Sequence, residues 1–101
     1  MKMAEMVEVE NINTPGVTSR VNAAKYRAMR EAYLATLTED PPGQTQAELM
    51  PLVKQSLPSD LFPGGKTSGW WLKTVQLDLE AKGLVARSDT RPLRWFQTPR
   101  R

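Results

Sequence analysis

The strongest constraint on the fold is residues 69–82, GWWLKTVQLDLEAK, a stretch without proline that is closed by Gly83. At 3.6 residues per turn, Leu72, Val75 and Leu79 fall on one face, the stripe that a helix buries, with Trp71, Gln76 and Lys82 at its edges. Thr67 or Ser68 is placed to cap the start, and Gly83 stands where helices commonly end on a left-handed residue. Directly beyond, LVAR at 84–87 and LRWFQ at 93–97 read as two strands, joined by the turn-rich Ser88-Asp89-Thr90-Arg91-Pro92, which exposes a basic side chain. A helix that runs straight into a hairpin therefore anchors the reading. Within the second strand, alternation turns either Trp95 or Phe96 inward and leaves the other near the basic side chains of the hairpin.

Upstream, Asn22 can cap a first helix over about 22–37, where Ala23 and Ala24 favour helix and Tyr26, Met29, Tyr33, Leu34 and Leu37 recur at helical spacing. Pro41-Pro42-Gly43 stops it. Thr45-Gln46-Ala47-Glu48 then reads as a capping box that opens a second helix over about 46–57, with Leu49, Leu52, Val53 and Leu57 on one face. Pro51 removes an amide donor inside that helix and predicts a kink or a delayed regular part. Pro58, Pro63, Gly64 and Gly65 mark an irregular connection, and Leu61-Phe62 within it are apolar enough to tuck under the fold. In the first 21 residues, Val7, Val9 and Ile12 alternate loosely with Glu8, Glu10 and Asn11 before Thr14-Pro15-Gly16, as in a short strand or extended amino-terminal arm. Met1, Met3 and Met6 are gap-fillers or mobile. The expected division is an arm at 1–21 and one folded unit at 22–98.

Inventory narrows the chemistry. A chain of 101 residues, 40% hydrophobic and 25% charged, supports one small core. It has no Cys and no His, which excludes disulfides, thiolate nucleophiles, zinc fingers and imidazole bases. No enzyme activity, cofactor or metal is expected. The longest run of large apolar residues, Trp70-Trp71-Leu72, falls far short of the ~20 that a spanning helix needs, and no signal-peptide stretch opens the chain, so the expectation is a cytoplasmic protein that does not enter the membrane. Gly64-Gly65-Lys66-Thr67 invites a phosphate-loop reading, but Asp60 stands where the first glycine of that motif belongs. Asp78 and Glu80, two apart on a helix, point in different directions and do not form a catalytic pair. Tyr26 and Tyr33 share a helix face and Trp71 borders the core, which favours packing over nucleic-acid stacking.

The net charge is +3, but it is divided unevenly. Residues 1–50 hold five Lys/Arg against seven Asp/Glu, and residues 51–101 hold nine against four. Bases of the second half, among them Lys66, Lys73, Lys82, Arg87, Arg91, Arg94, Arg100 and Arg101, are spread along the chain, as on folded elements rather than a disordered arm.

The order helix, helix, helix, hairpin, and the junction Leu79-Glu80-Ala81-Lys82-Gly83-Leu84-Val85-Ala86-Arg87, resemble a winged helix-turn-helix domain at its passage from third helix to wing. The chain is also similar to a family of small bacterial winged-helix-like proteins of unassigned function that carry Gly69-Trp70-Trp71 and the 73–83 stretch KTVQLDLEAKG. The resemblance implies an α+β, mostly helical fold: a three-helix winged helix-turn-helix with a carboxy-terminal wing over about 84–97 and an amino-terminal extended arm. It further implies contact with double-stranded DNA through the third helix and the wing, as in a transcriptional regulator. Carried over by position, Lys66, Thr67 and Ser68 would meet phosphate at the helix start, Lys73 and Thr74 would face the groove, and Arg87, Arg91 and Arg94 would serve the wing.

The same helical wheel carries an alternative. Opposite the core stripe stand Trp70, Thr74, Leu77 and Ala81, so two large apolar residues occupy the face expected to read bases. Leaving Trp70 and Leu77 in water would forgo ~1.5–3 kcal/mol of burial each, which predicts a cover. The arm, through Val7, Val9 and Ile12, is one candidate and a second copy of the chain is another. Trp70 and Leu77 would then be interface residues of a homodimer or of a protein-interaction module that does not bind DNA.

Overall fold

A computed structural model describes residues 5–99. Met1 and Met3, and the bases Arg100 and Arg101, lie outside the described residues. The described residues form an α+β fold of three α-helices and two small antiparallel sheets. In chain order these are β1 (Met6–Glu10), β2 (Thr18–Asn22), α1 (Ala23–Thr36), β3 (Gln44–Thr45), α2 (Gln46–Ser56), α3 (Ser68–Ala81), β4 (Val85–Ser88) and β5 (Arg94–Gln97).

Residues expected as an arm form a two-stranded hairpin, with Val7 opposite Val21 and Val9 opposite Ser19. Val9 and Val21 turn into the core with Val7 partly buried beside them, while Ile12 remains exposed in the connection. Asn22 ends β2 and caps α1, its side chain accepting the amide of Lys25 at 3.0 Å. Met29, Ala32 and Tyr33 seat α1 against the other helices. The turn after α1 depends on Gly43, which has φ +95° and lies so close to β5 that a Cβ there would meet the carbonyl oxygen of Trp95 at 1.9 Å.

The capping box forms at both bonds: the amide of Glu48 donates to Thr45 Oγ1 (3.1 Å) and the amide of Thr45 donates to Glu48 Oε1 (2.9 Å). Contrary to the expected delay, α2 is regular from Gln46 and runs through Pro51 as one element. The capped first turn and the buried Leu49 and Val53 hold it, while Pro51 lies on the exposed side. Leu52, expected on the core face, is exposed. Phe62, in the connection to α3, is buried with its ring edge-on to Trp71.

Leu72, Val75 and Leu79 of α3 are fully buried, as the wheel requires. Gly83 has φ +76°; its amide reaches the carbonyl of Glu80 and the amide of Leu84 reaches that of Leu79, the paired bonds of a Schellman ending. At the other end the expected cap is not made. Thr67 occupies the capping position in a left-handed conformation, unusual for a β-branched residue, and its hydroxyl donates to the carbonyl of Lys66. Ser68 is buried and donates to the carbonyl of Gly65. The second sheet has the order β3-β5-β4, with Thr45 opposite Arg94 and Arg87 opposite Trp95. Trp95 is the residue that turns inward. Among the described residues no helix is long and apolar enough to cross a membrane.

Candidate nucleic-acid interface

Helix α3 is open at its start and enclosed at its end. Gly69, Trp70 and Lys73 are exposed and Thr74 is half-buried, whereas every residue from Val75 to Glu80 is buried. Two carboxylates explain the enclosure, because they sit two residues apart on opposite flanks of the helix and each holds a hairpin. Asp78, with no exposed surface, accepts the amide of Glu10 (2.8 Å), the hydroxyl of Tyr26 and the ammonium of Lys82. Glu80 accepts the Arg87 guanidinium at two positions (2.8 and 3.0 Å), the indole N–H of Trp95 (3.1 Å) and the side-chain amide of Gln76 (2.9 Å). Neither buried carboxylate is left without partners.

These contacts sort the expected nucleic-acid residues. Lys66 and Thr67 are exposed just before α3, Lys73 and Thr74 lie on its open half, and Arg91 is exposed in the β4–β5 turn. Ser68 is buried and bonded within its own loop, so it does not face an approaching phosphate. Arg87 turns back to Glu80 and lies over the Trp95 ring, with its guanidinium carbon 5.9 Å from the ring centre. Hydrogen bonding to Glu80, and then the attraction of its charge, raises the Arg87 pKa above the ordinary guanidinium value. Arg94 donates to the carbonyl of Gly43 (3.2 Å) and to Glu48 (3.3 Å). The cations left free of ion pairs at the expected interface, among the described residues, are Lys66, Lys73 and Arg91.

The two expected interface residues separate. Leu77 is only 9% exposed because the chain's own β1–β2 hairpin covers it, which removes it as a contact for another chain. Trp70 stays 58% exposed, its ring edge-on to Trp71 with centres 5.1 Å apart. Between hairpin and helix runs an open groove of about 380 Å³, with Val9, Val17, Leu77 and Trp70 as apolar lining and Glu10 and Lys73 as its charged groups. The arm, offered by the sequence as one cover for this face, covers Leu77 through the hairpin, with Val9 inward and Ile12 left exposed, but no local signal brings Glu10 and Lys73 to one groove.

Residues 6–95 match the profile of a family of unknown function, from the first strand into the last. The chain belongs to the DUF6958 family. No curated protein and no solved structure gives a significant match. The DUF6958 match takes in the first hairpin and reaches into β5, so the covered helix is part of the family region.

Proposed function

We propose that the chain is a winged-helix protein without enzymatic activity that binds duplex DNA through the start of α3 and the tip of the β4–β5 wing. The element order from α1 to β5, and a short β3 pairing with β5 to complete the wing sheet, support the winged-helix reading. The observation that carries DNA binding is the gathering of Lys66, Thr67, Lys73 and Thr74 at the open half of α3, with Arg91 free on a wing that Glu80 fixes to the same helix. Burial of the second half of α3 leaves no face there for base edges, so contact is mainly to phosphates and weakly selective for sequence.

Binding of random duplex DNA should fall steeply with salt, and Lys73→Ala and Arg91→Ala should each lower the slope by about one ion, the value for one lost phosphate contact. Arg87→Ala should instead destabilise the fold, because it strips the main partner from Glu80. Absence of binding at low salt would overturn the proposal.

The exposure of Trp70 favours a second reading, a protein-interaction or dimerisation module. Sedimentation over a wide concentration range tests it: association that Trp70→Ala abolishes while the fold survives supports this reading, and a strict monomer counts against self-association.

A further inference from the structure

We infer that the β1–β2 hairpin is an acidic cover that lowers the DNA affinity of α3, a regulatory role that rests on the DNA-binding reading. Three observations converge on it. The first is position: the hairpin lies along α3, buries Leu77, and makes one wall of the groove whose other wall holds Trp70 and Lys73. The face that would meet DNA is thus shared between the helix and its cover.

The second observation is charge. The hairpin carries Glu8 and Glu10 against Arg20, with Glu5 immediately before it, in a protein whose net charge is +3. Glu5 is paired with Arg27 at 2.9 Å and Glu8 stands opposite Arg20 across the strands, but Glu10 lines the same groove as Lys73. A phosphate approaching Lys73 therefore enters a groove to which the cover contributes an acidic residue. The basic helix start is held next to a negative strand by the fold itself.

The third observation is how the cover is attached. Val9 and Val21 are its buried side chains, the amide of Glu10 bonds to Asp78, and the connection from Ile12 to Val17 is exposed throughout. An element held by two buried side chains and one bond to α3 can open at a lower free energy than the core beneath it.

The test measures binding of random duplex DNA at one low salt concentration. Glu8→Gln with Glu10→Gln neutralises two exposed cover residues. Glu31→Gln with Glu39→Gln removes the same charge from exposed residues that do not line the groove. The cover variant should bind roughly fivefold tighter than the parent, and the control should gain less than half as much. Thr18→Glu, which adds a carboxylate to the groove wall, should weaken binding by a similar factor. Equal gains in the cover variant and the control would overturn the cover and leave the DNA reading intact. If the parent and all three variants fail to bind, the DNA reading fails and the cover falls with it.

Discussion

The two hairpins of this molecule flank the same helix and are held by carboxylates two residues apart, yet one is woven into the fold and the other is laid upon it. On the carboxy-terminal side, Glu80 is tied to both strands through Arg87 and Trp95, β3 adds a third strand, and Gln97 bonds to carbonyls of Leu34 and Leu37 at the end of α1. On the amino-terminal side, Asp78 reaches the hairpin itself through one backbone amide, and its other partners are Tyr26 of α1 and Lys82 beside the helix end. Similar chemistry at the helix thus yields different mechanical outcomes, because a carboxylate that grips side chains of two paired strands fixes a sheet. A carboxylate that grips one amide fixes only an edge.

The largest expected effect tests the woven side. Trp95→Ala should cost about 3–5 kcal/mol, since it opens a cavity and removes a hydrogen bond from Glu80. Against a total of roughly 5–15 kcal/mol for a domain of this kind, that loss should unfold much of the population or lower the denaturant midpoint sharply. A loss confined to β4 and β5, with the helices still protected in hydrogen exchange, would break the comparison.

Asp78→Ala comes next, at about 2–3 kcal/mol, for it strands the Glu10 amide and the Tyr26 hydroxyl. Its signature should be local. Exchange of the β1 and β2 amides should accelerate while Ala86 and Phe96 stay protected. Equal acceleration in both hairpins would show that the amino-terminal one is as integral as the other.

How much of this contrast the sequence discloses depends on range. The third helix is legible at both ends, expected over 69–82 and found at Ser68–Ala81, because its apolar period and Gly83 are local signals. The first two helices and the β4–β5 hairpin are legible for the same reason. Strand β2 is not, since Thr18–Asn22 holds a single apolar residue, Val21, and shows no alternation. Nor is β3, two residues long, which is a strand only because β5 pairs with it. The wheel correctly sets Leu77 opposite the core stripe, but a wheel cannot see what lies on top of a helix. Arg87 and Arg94 look like free wing cations in sequence because their carboxylate partners are seven and 46 residues away. Asp78 and Glu80 are correctly read as diverging. Their burial runs against the usual place of acidic residues and becomes favourable only through partners that the fold brings in.

Two tyrosines of α1 sharpen the comparison at smaller amplitude. Burial pushes both hydroxyls above the ordinary value of 10, helped at Tyr26 by bonding to Asp78 and at Tyr33 by the charge of Glu80. Tyr26 has its partner, whereas the buried Tyr33 hydroxyl has none among the described residues. Tyr26→Phe should therefore cost about 1 kcal/mol and Tyr33→Phe should gain about 1 kcal/mol. Raised folded values mean stability that is complete below pH 10 and lost as pH rises past it, because the unfolded chain releases these protons first. Each Phe variant should flatten the alkaline decline in urea midpoint, and an unchanged decline would show that neither hydroxyl is held neutral by the fold.

The smallest expected effect lies at the rim of the woven side, in the capping box that joins β3 to α2. The amide of Thr45 and then the Arg94 guanidinium hold the Glu48 carboxyl below its ordinary value of 4.5. A lowered folded value contributes stability that is present above pH 4.5 and disappears as pH falls through the folded value. Glu48→Gln keeps an acceptor for the Thr45 amide and deletes the charge, so the parent should be slightly more stable at neutral pH and the two should converge in acid. Added salt should narrow the neutral-pH gap, because the Arg94 contact is exposed to solvent. A gap that persists in acid would assign the benefit to the hydrogen bonds alone, and would place the attachment of β3 in backbone pairing rather than in charge.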